Sequence, residues 1–303
     1  MSGRHARPVP SDDGTLDSLL VLVAESLGYT CRRCPGEIVM LEDPRRLPIT
    51  ARRLPVNMRD VRQLARLVPQ ADWPAVVSDY VTTIVTSMEE PLDLDDFDLA
   101  QHLLRTRIYP DEADNGGLAS RPFAPGLIEV VVVDTPTSVR TVSTMDMNGW
   151  PVSGDALFML GRSNVRADGP LQVDEQDLGG VRVSVLHGWT FYVATHLAWL
   201  EEYLQIGPHG ALVIAPNRSL IVAHPLRVAE GDARTRHRTA VAAATELQAQ
   251  AHRAYEEGPG SLSPHLYWWR AGELTYLETR YEGSTLVLPE EFSAVLATLT
   301  AER

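Results

Sequence analysis

Apolar positions along this chain switch repeatedly between helical and strand spacing, and the switching predicts an α+β fold: small mixed sheets flanked by helices, in two to three units. Leu16, Leu19, Leu20, Val23 and Leu27 recur at helical spacing, and Gly28 stands where a left-handed C-terminal residue is expected. Three short extended pieces follow at 29–34, 37–41 and 47–54, with turns at Pro35-Gly36 and Asp43-Pro44. Asn57 is placed to cap a helix that buries Met58, Val61, Leu64 and Val68. Asp72 with Pro74 opens another, striped by Val77, Tyr80, Val81, Ile84, Val85 and Met88.

Residues 89–98 are acidic and predict a solvated boundary, followed by a helix over 96–106. The Gly-, Pro-, Asp- and Asn-rich stretch 111–126 reads as loop. Residues 127–133 carry four valines in a row, the signature of a central strand buried on both faces. A strand at 138–143, a Ser153-capped helix to Val165, a strand at 181–186 and a helix over 192–204 come next. Residues 211–215 and 220–224 form a hairpin around Pro216-Asn217-Arg218-Ser219. An Ala-rich helix over 235–256 precedes strands at 265–269, 274–280 and 285–288. Pro289 then opens a last helix burying Phe292, Val295, Leu296 and Leu299. The expected organisation is a disordered arm at 1–12, an N-terminal α+β unit at 13–90 and an acidic linker, helix and loop at 91–126. A central α+β unit at 127–228 and a C-terminal helix–three strands–helix unit at 229–303 complete it.

Composition narrows the chemistry. All 27 positions counted as Lys plus Arg are Arg. A lysine-free chain has no Schiff-base lysine, no phosphate-loop lysine and no lysine general base. A GC-rich genome and selection against amine modification would both leave this pattern. The net charge of −13 argues against a nucleic-acid partner, whose binders carry a basic face. No apolar run reaches membrane-spanning length, so no membrane association is expected. The polar, Pro-rich start lacks the apolar region of a signal peptide, and with only 2 cysteines the expected compartment is the reducing cytoplasm.

Within 127–226 an ordered set of residues stands out: a hydrophobic strand ending in Asp134, Trp150 with Ser153 at a helix start, Asn164 near that helix's end, and the Pro216-Asn217-Arg218 turn. In this set the chain resembles the YtpQ-like family of uncharacterised bacterial proteins over about a third of its length. The family pattern tends to carry Asp after the Arg, where this chain has Ser219. The resemblance implies a cytosolic α+β protein and brings no established activity.

Several constellations can carry chemistry. Cys31 and Cys34 have the spacing of a metal chelate or redox pair, and Arg32 and Arg33 between them would favour thiolate. A zinc site needs two further ligands, and a redox pair should open a helix; neither pattern follows, so the cysteines are expected to be reduced, with no metal and no cofactor. Asp134 at a strand end, His187, Asn217 and Arg218 are candidates for a catalytic set if folding gathers them. Arg218 at a hairpin tip offers a planar fork for a carboxylate or phosphate, while Asn217 supplies turn geometry. Trp189 and Tyr192, with Trp268 and Trp269, are candidate binding anchors together with Arg218, because aromatics left on a surface anchor partners; burial between two layers is the competing expectation. The preferred function is a cytosolic binding or adaptor protein acting through contacts with another protein. The alternative is an enzyme with a site in 127–226.

Overall fold

The computed structural model describes residues 12–34, 37–44, 53–89, 96–114, 116–135, 138–188, 190–226, 233–258, 260–282 and 285–301. The arm at 1–11, the Pro35-Gly36 turn, most of the strand expected at 47–54, the acidic stretch 90–95, Pro136, Trp189 and the side chain of Leu299 lie outside the described residues. The fold is α+β, with antiparallel ladders throughout the sheets whose register is described. Its chain divides into two compact units, Met1–Leu92 with Thr135–Val139, and Asp93–Asp134 with Arg140–Arg303.

In the first unit, helix α1 (Asp12–Ser26) precedes the sheet β1-β2-β3 (Thr30–Cys34, Ile38–Glu42, Arg53–Asn57), then helices α2 (Met58–Arg66) and α3 (Trp73–Glu89). Leu16, Leu20 and Ala24 of α1 meet Leu41, Leu54 and Val56 of the sheet and Val77, Val81 and Val85 of α3 in one core. Asn57 caps α2 by accepting from Arg59 N–H at 3.0 Å. α2 buries Met58, Val61, Gln63 and Ala65, not the expected Leu64.

The second unit starts with α4 (Phe97–Leu103), capped by Asp96. The helix expected to reach 106 stops at Leu103, and the chain becomes strand β4 (Leu104–Pro110). The expected loop at 111–126 holds strand β5 (Ser120–Ala124). Strand β6 (Leu127–Thr135) lies between β4 and β5 and also pairs β7 (Ser138–Thr141); Val130 to Val133 are at most 1% exposed, as a central strand requires. After the short α5 (Thr144–Met147), helix α6 (Gly154–Ala167) runs from Ser153, whose hydroxyl accepts from Ala156 N–H. Gly161 lets α6 press on β4: a Cβ there would stand 2.8 Å from Thr106 Cγ2. The resemblance residues have structural duties here. Trp150 meets Phe97 in a tilted ring contact, centroids 5.4 Å apart, and Asn164 Nδ2 donates to the carbonyls of Gln101 and Leu104, both at 2.9 Å.

A six-stranded sheet follows in the order β13-β12-β10-β11-β9-β8. Its strands are β8 (Gln172–Leu178), β9 (Val181–His187), β10 (Ala211–Asn217), β11 (Leu220–Pro225), β12 (Tyr267–Arg270) and β13 (Glu273–Tyr276). Both faces of β10 are covered. Ala211, Val213 and Ala215 enter one core with Leu197 and Leu200 of a 3-10 helix (Val193–Glu202). Leu212 and Ile214 enter the other, against Ala243, Ala244 and Leu247 of α7 (Ala233–Glu257) and Phe292 and Leu296 of α8 (Glu290–Ala301). This is the period-two division of a strand between two layers. The sheet crosses the boundary expected near residue 228, because β12 pairs β10. The helix expected over 192–204 is this tighter 3-10 form, interrupted at Trp199 by a non-helical φ of −143°. A separate hairpin, β14 (Arg280–Glu282) and β15 (Thr285–Val287), precedes α8.

Candidate functional site

The site is built on the tip between β10 and β11. Pro216 has no N–H to give the ladder, and the pairing slips between Ile214 and Asn217. Asn217 is 7% exposed, and its Oδ1 accepts from Ser219 N–H at 3.0 Å, the turn-making role its residue type predicts. A second segment lies on the tip: Arg218 N–H donates to the Gly260 carbonyl at 3.1 Å, and Leu262 N–H to that of Pro216 at 2.9 Å. A Cβ at Gly258 would sit 2.3 Å from Asn217 Nδ2, so this approach requires glycine.

Held this way, the Arg218 guanidinium lies over the ring of Tyr109, 4.9 Å from its centroid. Strand β4 supplies the ring by alternation. Leu104, Thr106 and Ile108 are fully buried on one face, which leaves Arg105, Arg107 and Tyr109 on the other. The Arg107 guanidinium is 5.6 Å from the same Tyr109 ring and 6.0 Å from the ring of Phe191, a residue that is 62% exposed. Two cations thus share one aromatic ring, with a solvent-facing aromatic beside them. Arg105 is committed elsewhere, donating to Asp168 through Nε at 2.7 Å and Nη2 at 2.8 Å.

Tyr192 and Asp134 adjoin this group. Tyr192 is 2% exposed. Burial first, and then the Asp134 carboxylate, push its hydroxyl well above the usual tyrosine value, against the opposing charges of Arg107 and Arg105. Asp134 is close enough to bias the hydroxyl, yet the hydroxyl makes no hydrogen bond of acceptable geometry; the same is true of Arg107 Nε. The arrangement therefore presents the partly exposed Arg107 and Arg218 on an aromatic frame, with the Tyr192 hydroxyl enclosed behind them.

Of the sequence-predicted residues, the fold brings Asp134, Tyr192 and Arg218 to this group, with Asn217 beneath Arg218 as its support. His187 goes elsewhere: its Nε2 pairs with Asp174 Oδ2 at 2.8 Å on the exposed strand β8. Trp268 and Trp269 are not surface anchors, being 7% and 3% exposed. They point into opposite cores, and their indole N–H groups donate to the carbonyls of His209 and Leu197. Tyr192 too is an interior residue rather than an exposed anchor. The surface aromatic is its neighbour Phe191. Phe191 belongs to the aromatic run 189–192 that the sequence offers as a surface anchor, whereas Arg107 and Tyr109 were missed by sequence reasoning; the alternation of Leu104, Thr106 and Ile108 with Arg105, Arg107 and Tyr109 is the signal that places those two on a strand face.

The cysteine pair lies on β1 of the other unit. Arg32 is bound to Glu42 and Arg33 to Asp17, so both guanidiniums have carboxylate partners, although Arg32 stays within electrostatic reach of Cys34. The Cys31 thiol is pushed up by burial and then by Glu25, opposite to the thiolate expected from the arginines. Among the described residues no group of three or more His, Cys, Asp or Glu is arranged to hold a metal ion, and no helix is long and apolar enough to cross a membrane. In comparisons with known proteins, no family model, no curated protein and no solved structure matches the chain.

Proposed function

We propose that this is a cytoplasmic binding or adaptor protein that engages another protein through the surface formed by Arg107, Tyr109, Phe191 and Arg218. The observation that carries it is the pair of guanidiniums on the Tyr109 ring beside an exposed phenylalanine. Arginine and aromatic residues dominate the energetics of protein interfaces, and a guanidinium held in place loses less freedom when it meets a carboxylate. The partner feature that fits is an acidic side chain flanked by an apolar one. Membership of the YtpQ-like family is part of the proposal and rests on Asp134, Trp150, Ser153, Asn164 and the Pro216-Asn217-Arg218 turn alone.

The test is co-purification from native extract with size-exclusion chromatography, comparing wild type with Phe191→Ala and Arg218→Ala. Wild type retains a partner that both variants lose while their melting curves stay close to wild type. A strictly monomeric wild type with no retained partner overturns the proposal. The enzyme alternative needs Asp134, His187, Asn217 and Arg218 in one cleft, and the pairing of His187 with Asp174 speaks against that set.

A further inference from the structure

A second feature of the same unit stands apart from the arginine–tyrosine cluster. Glu129 on β6 is 0% exposed, and it is gripped from two sides. Arg121 of β5 donates to Oε2 through Nε at 2.8 Å, with Nη2 2.7 Å from the same oxygen. Arg162 of α6 donates through Nε to Oε1 at 2.7 Å and through Nη2 to Oε2 at 2.8 Å. One buried carboxylate between two guanidiniums leaves one positive charge in excess. It also fixes where Arg121 points: the guanidinium lies 4.3 Å above the Phe158 ring.

Arg121 and Phe158 line a cavity of about 370 Å³, together with Leu118, Met147, Gly154 and Asp155. The volume is at the small end of the range for small-molecule sites, roughly 300–1,000 Å³. Gly154 and Asp155 belong to the first turn of α6, whose leading N–H groups carry the positive end of its dipole; Ser153 takes the N–H of Ala156, which leaves those of Gly154 and Asp155 without a partner inside the helix. A cation locked by a buried anion and a helix N-terminus therefore open on one cavity whose apolar wall is Leu118, Ala119, Met147 and Phe158 and whose remaining lining is polar. Ser120 also lines it, and its hydroxyl is held by Asp114. Asp155 lines the cavity and Asp114 holds its Ser120, so these carboxylates offset the excess charge of the arginine pair; they oppose a dianion most, and a monoanion is held by direct bonds to Arg121 rather than by net charge.

We infer that this cavity is a small-molecule site for a monoanionic carboxylate with a compact apolar or aromatic body, its acid group on Arg121 and the α6 N-terminus and its body against Phe158, Leu118 and Met147. Nε and one edge of Arg121 face Glu129, and the remaining N–H groups of the fork are the ones that meet the ligand. The site is independent of the partner surface proposed above.

The test uses the full chain, with binding followed by titration calorimetry and ligand-observed NMR. The probes are benzoate and indole-3-acetate as carboxylates, benzamide as the uncharged counterpart of benzoate, and inorganic phosphate as the dianion. Saturable binding of at least one carboxylate is expected, with benzamide and phosphate weaker by about tenfold or more. Arg121→Met, and Thr144→Trp, which fills the mouth from an exposed position, are each expected to weaken the carboxylate by about tenfold or more. If Arg121→Met does not fold, as judged by circular dichroism and melting, Thr144→Trp decides alone. The inference is overturned if neither carboxylate binds wild type, if benzamide or phosphate binds as tightly, or if Thr144→Trp binds like wild type.

Discussion

Gly260 presses on the stem of Arg218: a Cβ at residue 260 would stand 2.9 Å from Arg218 Cδ and 3.2 Å from its Nε. Gly260 also has φ +68°, in the left-handed region. Gly260→Ala is expected to cost about 1–2 kcal/mol through backbone strain and to push Arg218 off the Tyr109 ring. Partner capture should fall further than the urea midpoint accounts for. Capture equal to wild type would show that the seat of Arg218 over Tyr109 has no part in binding.

Tyr192→Phe removes a buried hydroxyl that lacks a well-formed hydrogen bond. An unmet buried group costs about 1–3 kcal/mol, so its removal is expected to leave stability unchanged or to raise it by up to about 1 kcal/mol. Urea unfolding of the two proteins measures this. A loss above about 1 kcal/mol would mean that the hydroxyl is bonded to Asp134 in solution.

Glu129→Ala leaves Arg121 and Arg162 facing each other with no carboxylate between them. Removal of one partner from a fully buried ion pair typically costs about 3–5 kcal/mol; with the two arginines 31% and 32% exposed, a loss of about 1–3 kcal/mol is expected here in chemical denaturation. Glu129→Gln should keep the geometry and lose less than the alanine variant. A near-neutral alanine variant would show that the two arginines swing out to water without penalty.

His196 is 1% exposed, and its Nδ1 lies 2.7 Å from Tyr203 Oη. Burial first, then Arg166, lower its pKa to about 4. A lowered folded pKa means that its contribution is complete above the unfolded value near 6.5 and is lost as pH falls through about 4. Wild type should lose up to about 3 kcal/mol more than His196→Gln between pH 7 and pH 4. Parallel pH profiles for the two proteins would remove His196 as the cause.

The fold was legible wherever one period ruled a segment. The four valines of β6, the hairpin β10–β11, the Ser153 cap and the alanines of α7 sit where pattern alone puts them. Strand β8 was invisible because Gln172 to Asp177 are exposed on both faces, so no apolar row marks its period; it is held by its ladder to β9 and by the side-chain pairs His187–Asp174 and Ser184–Glu175. Strand β4 was hidden by its arginines, which read as the polar end of a helix. The 3-10 helix is nearly all buried, and an apolar run on every side carries no face from which to read its pitch. Arg218 could be singled out because turn chemistry is local. Its neighbours Arg107 and Tyr109 arrive from a strand more than a hundred residues earlier, through pairing that no local pattern encodes.

The position of β12 beside β10 sets a schedule for synthesis. The seven residues of β10 are all buried in the finished sheet, and β11 covers one of its edges almost at once. The other edge waits for β12, which begins only at residue 267. At about 5–20 residues per second, residues 226–266 take roughly 2–8 s to be made. Throughout that interval the nascent chain presents an unpaired apolar strand whose α7 cover is itself incomplete, a template for pairing with a neighbouring nascent chain. A chain ended after residue 260 would keep that template permanently, and it should partition into the insoluble fraction when the full-length protein does not.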